Sequence, residues 1–220
     1  PGGDKAAEEP WRMGVSYLYK TFGKEFLHVD LPFIRQLDEG KLELLLAAID
    51  KRINCPQTSS VGRLFDAVAA IINLVTISSF EAEAPIRLES IMYRKRPVCE
   101  EKYGYHVKGN IFVDNLIEEI VCDVKKKISA SVIAAKFHNT IVAIIVDLAE
   151  RMRAESGINK VVLSGGVFQN RYILGKSEEL LTEKKFTVYS NISVPANDGG
   201  VCLGQIAVVA KRRDKGLIEH

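Results

Sequence analysis

Val161-Val162-Leu163-Ser164-Gly165-Gly166-Val167-Phe168-Gln169-Asn170 runs from an apolar strand into a glycine pair and on towards a helix. Glycines let backbone N–H groups approach a ligand that a Cβ would hold away, and a following helix N-terminus favours anionic groups. A tight α/β crossover uses the same glycine pair with no ligand at all, and that is the commoner case. Downstream the pattern returns. Phe186 to Ser190 reads as a strand, and Pro195-Ala196-Asn197-Asp198-Gly199-Gly200 leads into another apolar helix. A strand, loop and helix unit is therefore expected twice, and ligands of open α/β sheets bind outside the carboxyl ends of the strands.

Upstream the chain reads as helical. Trp11, Val15, Leu18 and Tyr19 form an apolar stripe over 7–22, and Leu42, Leu45, Leu46 and Ile49 another over 39–51, which Asn54-Cys55-Pro56 stops. Ser60 precedes Val61, Leu64, Phe65, Val68, Ala69 and Ile72 and is expected to cap an amphipathic helix. Between 80 and 110, Pro85, Pro97, Gly104 and Gly109 break the pattern, and Tyr103-Gly104-Tyr105 suggests a hairpin or exposed loop. Asp114 is expected to cap a helix reaching Ile128, and Ser131 to start a longer one ending at Ser156-Gly157. The expected organisation is a helix-rich part over 1–155, a β-α-β-α part over 156–212, and a flexible tail over 213–220.

Composition excludes several classes. The 220 residues carry a formal charge of only +2, and the dense basic runs, Lys125-Lys126-Lys127 and Lys211-Arg212-Arg213, read as solvated helix ends. No nucleic-acid partner is expected. Cys55, Cys99, Cys122 and Cys202 lack zinc-site spacing and suit reduced thiols, with Cys202 expected as an inert buried one. No apolar run is read as a membrane span and no signal peptide is recognised, so a soluble, cytoplasmic protein is expected. Pro1-Gly2-Gly3-Asp4 lacks an initiator methionine and reads as the inside of a loop, which suggests a fragment of something longer.

Asp198 is the leading candidate for chemistry. Between a strand end and a Gly-Gly helix start, its carboxylate can hold a metal ion or orient a phosphate through one; capping by Asn197 or Asp198 is the equally weighted alternative. Asp66, one residue after Phe65, is expected as an exposed surface acid, although Ser59-Ser60-Val61-Gly62 leaves bare N–H groups nearby. His28, His106, His138 and His220 show no paired metal-binding spacing, and His138 is expected to pack rather than ligate. GxxxxGK[ST], GxGxxG and GxSxG are missing from the sequence, so phosphate-loop NTPases, Rossmann dehydrogenases and α/β-hydrolases lose support.

Taken together, PGGDKAAEEPWRM, TSSVGRLFDAVAAI, the Phe137-His138 helix, SGGVFQN and PANDGG-VCLGQ resemble, in this order, the HypF family of carbamoyltransferases of [NiFe]-hydrogenase maturation. The resemblance runs from residue 1 to about 210 and is to the C-terminal part of that large protein. It implies an α/β, helix-rich lobe of an actin-like (ASKHA, ribonuclease H-like) fold with a mixed β-sheet flanked by helices. It also implies an enzyme that uses carbamoyl phosphate and ATP to make carbamoyl-adenylate, then carbamoylates the C-terminal cysteine of HypE.

By the same resemblance Gly165, Gly166 and Asn170 would line the adenosine side of a cleft. Gly199 and Gly200 would let the chain pass near the phosphates, Asp198 would bind a divalent metal, and Ser60, Gly62 and Asp66 would be further nucleotide contacts. The family's paired metal-binding histidines and its acidic phosphate-site segment have no counterpart in these residues. The remainder of the HypF chain is thus an implied partner, and the fragment alone is expected to bind ATP weakly or not at all and to be inactive. Two alternatives stay open: a non-catalytic lobe that docks HypE or another partner, and an O-carbamoyltransferase or kinase of another ASKHA branch.

Overall fold

The computed structural model describes residues 1–95 and 99–215. Pro97 and the last five residues of the 213–220 tail lie outside the described residues. Two compact units are present, Pro1–Ala143 and the chain from Ile144 onward.

The first unit is helical. It contains α1 (Lys5–Glu8), α2 (Pro10–Phe22), a 3-10 turn (Gly23–His28), α3 (Pro32–Arg35), α4 (Glu39–Asp50), α5 (Val61–Ile71), α6 (Glu83–Lys95), a hairpin of β1 (His106–Lys108) and β2 (Asn110–Phe112), α7 (Asp114–Lys125) and the start of α8 (Ala130–Ser156). The stripe expected over 7–22 is divided at Glu9, whose φ of −121° and ψ of 75° leave the helical region. Pro10 causes the break: it disfavours α conformation in the residue before it and suits the first position of α2. Asp38 caps α4 by accepting from the Lys41 N–H at 2.8 Å. Ser60 caps α5 as expected, accepting from the Arg63 N–H at 3.3 Å.

Helix α5 is the centre of this unit. Leu64 to Ile71 are all buried, which requires neighbours on every side. Helix α2 approaches so closely that a Cβ on Gly14 would lie 2.9 Å from the Phe33 ring and 3.1 Å from the Ala70 methyl. Glycine's helix penalty of roughly 1 kcal/mol is therefore accepted in exchange for close approach. On another side the Phe65 ring meets Phe137 edge-on at 4.7 Å and His138 at 5.4 Å between centroids. His138 is fully buried, with Nδ1 2.7 Å from the Ala134 carbonyl, and burial pushes its pKa down to about 4. It packs, as expected, and is neutral at neutral pH.

Other elements differ from the sequence reading. Asp114 is the first residue of α7 and not its cap, because Val113 occupies that position and offers no side-chain acceptor. The helix stops at Lys125, where Lys127 adopts a φ of +58° and the Ile128 N–H donates back to the Asp123 carbonyl at 3.0 Å. The hairpin lies beyond Tyr103-Gly104-Tyr105 and turns at Gly109, φ +69°. Tyr103 itself is buried: its hydroxyl donates to Asp123 Oδ2 at 2.9 Å and its N–H to Thr140 Oγ1 at 2.8 Å. An aromatic body with both polar ends satisfied has no need of solvent.

Helix α8 is, by length and composition, apolar enough to cross a membrane, with a mean hydropathy of 1.6 over its best window, contrary to the sequence reading. Its apolar side chains are used internally: 61% of that window is buried, including Ile133, Phe137 and Ile141. The boundary between the compact units falls inside α8 rather than at its end.

The second unit continues from α8 through β3 (Lys160–Leu163), a 3-10 turn (Gly166–Gln169), α9 (Arg171–Glu183), β4 (Thr187–Ser190), a short 3-10 turn (Asp198–Gly200) and α10 (Val201–Asp214). The strands of the chain form two separate pairs, antiparallel β1-β2 and parallel β3-β4, among the described residues.

Gly14→Leu tests the helix contact. The added side chain has no space against Phe33 and Ala70, so urea unfolding is expected to show a loss of about 2 kcal/mol or more at unchanged m-value.

Candidate functional site

Parallel pairing sets the geometry of the second unit. Lys160 to Leu163 lie opposite Thr187 to Ser190, so both strands end at the same level. Ser164 and Asn191, the first residues past those ends, therefore stand side by side. At the opposite end Arg153 holds the register. Its guanidinium carbon sits 3.9 Å from the Phe186 ring centroid, and Nη1 donates to the Lys184 carbonyl at 2.9 Å and to Asn159 Oδ1 at 3.0 Å.

The two loops leaving the strand ends are joined by one hydrogen bond, from the Gly165 N–H to the Ala196 carbonyl at 2.8 Å. Between them and the start of α10 lies a cleft of ≈ 730 Å³, lined by Ser164, Gly165, Asn191, Val194, Pro195, Ala196, Asn197, Asp198, Gly200 and by Val201, Leu203, Gly204 and Ala207. Its walls combine backbone amides, one carboxylate and an apolar helix flank. That mixture suits a ligand with a flat apolar part and an anionic part.

Each sequence-derived residue has a definite place. Gly165, at φ +101° and ψ 166°, occupies a conformation open essentially to glycine alone. Gly166 has nothing within 4 Å of where a Cβ would stand. The glycine pair does not open directly into a helix; the 3-10 turn intervenes, and Asn170 caps α9 by accepting from the Ile173 N–H at 3.0 Å. Asn170 is buried and is not among the cleft residues. Its Oδ1 is engaged by the cap.

In the second loop Asn197, not Asp198, is the cap: its Oδ1 accepts from the Gly199 N–H at 3.1 Å. The Asp198 carboxylate is exposed and has no hydrogen-bond or ion-pair partner among the described residues. Gly199 stands beside it. Gly200 is required by the loop itself, since a Cβ there would fall 2.4 Å from the Pro195 carbonyl oxygen. Cys202 is exposed, against the expected buried thiol, because no residue of α10 is covered.

Ser60, Gly62 and Asp66 belong to the first unit. The Ser60 hydroxyl is engaged by the cap, and Gly62 follows it in the first turn of α5. Asp66 is not a surface acid: it is 3% exposed, and its Oδ2 lies 3.0 Å from Arg63 Nη1, close enough for an ion pair but without hydrogen-bond alignment. Burial pushes its pKa up to about 6, with Arg63 opposing. The helix stripe concealed this, since the further small residues Ala67 and Ala70 widen the buried face until it includes position 66. Ser164 and Asn191 were not singled out from sequence. The signal available was position, one residue past each apolar strand.

No group of three or more His, Cys, Asp or Glu side chains converges among the described residues. Asp198 alone does not make a metal site.

Residues 1–205 match the family model of the carbamoyltransferase Kae1-like domain, second subdomain. The chain belongs to the HypF family. HypF of Synechocystis sp. is 31% identical over 229 aligned residues, which cover 96% of this chain and 29% of that protein. HypF of Rhizobium leguminosarum bv. viciae is 34% identical over 208, covering 94% and 26%. A crystal structure of full-length HypF in the phosphate- and nucleotide-bound form superposes with a TM-score of 0.89 at 39% identity, over 100% of this chain and 34% of that one. The chain thus spans about a third or less of these three HypF proteins, and its fold is a helix-rich α/β lobe of the actin-like class.

Two substitutions probe these placements. Gly200→Ala is expected to displace the 195–200 loop and show as loss of amide protection at Gly165, whose N–H is bonded to that loop, while Gly166→Ala leaves protection unchanged. Asp66→Asn tests the buried acid. The folded carboxyl titrates near 6 and the free one near 3.8, so its contribution to stability is fully present below pH 4 and lost as pH rises through 6. The variant is expected to be about 3 kcal/mol more stable than the parent at pH 7 and nearly equal to it near pH 3.5, read by urea unfolding across pH. His138 titrates in both proteins and drops out of the difference.

Proposed function

We propose that the chain is the C-terminal part of an ATP-dependent carbamoyltransferase acting in the cytoplasm. In this reading water hydrolyses carbamoyl phosphate to carbamate and phosphate, and a carbamate oxygen attacks the α-phosphorus of ATP, giving carbamoyl-adenylate and releasing pyrophosphate. The carbamoyl carbon then passes to the thiol of the C-terminal cysteine of HypE, releasing AMP and leaving a thiocarboxamide, on the way to the cyanide ligands of [NiFe]-hydrogenase. The observation that carries the reading is the cleft at the carboxyl ends of β3 and β4, where Gly165 and Asp198 face one space. Nucleotide and phosphate binding by a full-length HypF of the same fold supports it.

The residues divide the work by chemistry. Gly165 and the open Cβ position of Gly166 allow the adenosine to approach backbone, and the Leu203 and Ala207 flank offers an apolar surface to its base. Gly199 and Gly200 let the chain pass close to the phosphates. A divalent metal would neutralise phosphate charge, and Asp198 is this chain's contribution to holding it; the other ligands come from the phosphates or from elsewhere in the full protein.

Carbamoyl transfer to a HypE C-terminal peptide by the full-length protein is the test. Asp198→Ala is expected to lower the rate by roughly two orders of magnitude, equivalent to about 2.7 kcal/mol. Wild-type activity in that variant would remove Asp198 from the site and favour a docking role for this lobe. Calorimetry of the isolated chain with ATP and a divalent metal is expected to give binding no tighter than about 1 mM.

A further inference from the structure

The hydrophobic pattern of the β3-β4 pair does little to fix its register. Leu163 is buried and Val161 and Val188 are half-covered, yet Val162 and Tyr189 on the opposite face are apolar as well. Register is specified by contrast between the two faces of a strand, and here a one-residue slip of β4 exchanges faces without burying a charge. The start of the pair carries the information instead. Arg153, in the last turn of α8, lays its guanidinium over the Phe186 ring and donates to the Lys184 carbonyl and to Asn159 Oδ1. Asn159, just before β3, donates from Nδ2 to the Lys185 carbonyl at 2.7 Å, and its own carbonyl accepts from the Thr187 N–H at 2.9 Å. A slip of β4 by one residue, about 3.3 Å along the strand, breaks all of these contacts at once.

We propose that Arg153, acting with Asn159, is a positioning residue of the ligand cleft. By locking the start of β4 against the start of β3, the clamp fixes the level at which Ser164 and Asn191 leave the other ends of the strands, roughly 13 Å away. The loop that follows Asn191 carries Asn197 and Asp198, and the bond from the Gly165 N–H to the Ala196 carbonyl forms in this register. Arg153 is not among the cleft residues, so its effect on a ligand passes through β4. Lysine is no substitute, because a point charge cannot stack on a ring and hold two acceptors in one plane. The proposal rests on the cleft being the nucleotide site of the proposed reaction.

In the full-length protein, Arg153→Met is expected to speed hydrogen exchange of peptides covering 160–170 and 187–197 roughly tenfold while leaving α9 unchanged. The KM for ATP is expected to rise roughly tenfold with kcat nearly constant, and Arg153→Lys to recover only part of either effect. Asn159→Ala, which keeps the ring stack, repeats the pattern at smaller size and serves as the test if Arg153→Met does not fold. Parental exchange at Gly165 would overturn the proposal, as would acceleration extending equally to α9 or an unchanged KM. If the parent protein transfers no carbamoyl group, the proposed reaction fails, whereas exchange, read without turnover, still decides the clamp.

Discussion

Complete burial of α5 is the constraint on which the first unit depends. Eight consecutive residues, Leu64 to Ile71, are removed from water, and each large apolar side chain among them contributes about 1.5–3 kcal/mol through burial. Such a helix cannot be amphipathic in the usual sense; every flank needs a partner shaped to it. Alanines at 67, 69 and 70 allow close approach, Gly14 answers Ala70 from α2, and the Phe65 ring is met edge-on by Phe137 and His138. The same burial displaces the pKa values of two groups there. Both groups are held towards their neutral forms, Asp66 by a carboxyl pushed up to about 6 and His138 by an imidazole pushed down to about 4.

The second unit is organised differently. Its site depends on two strand ends at one level and one hydrogen bond between the loops that leave them. The glycines there are not equivalent. Gly165 supplies a backbone conformation, Gly200 makes room for the Pro195 carbonyl, and Gly166 leaves open space. Only the last has no role within the protein's own packing, and it is not among the residues that line the cleft. Likewise Asn197 takes the capping role and leaves the Asp198 carboxylate exposed on the cleft wall.

Local chemistry made much of this legible in advance. Ser60 before an apolar stripe, Pro56 after α4, Gly157 after α8 and the twin strand-glycine segments are signals carried by neighbouring residues, and they appear where expected. Position within the helix period failed for Asp66, because the stripe left out Ala67 and Ala70, which widen the buried face to include it. Tyr103 failed for a related reason: its neighbours are glycine and tyrosine, typical of loops, while its partners Asp123 and Thr140 are 20 and 37 residues away.

The sequence by itself determined the caps, the breaks, the repeated strand and loop unit, and the family, since these depend on order along the chain. Tertiary structure alone decided which glycine serves the backbone and which leaves open space, that Asp66 is buried and Cys202 exposed, and that Ser164 and Asn191 line the cleft. Those outcomes depend on what lies beside a residue in space, through close approach, desolvation and strand register, and distance along the chain does not encode them.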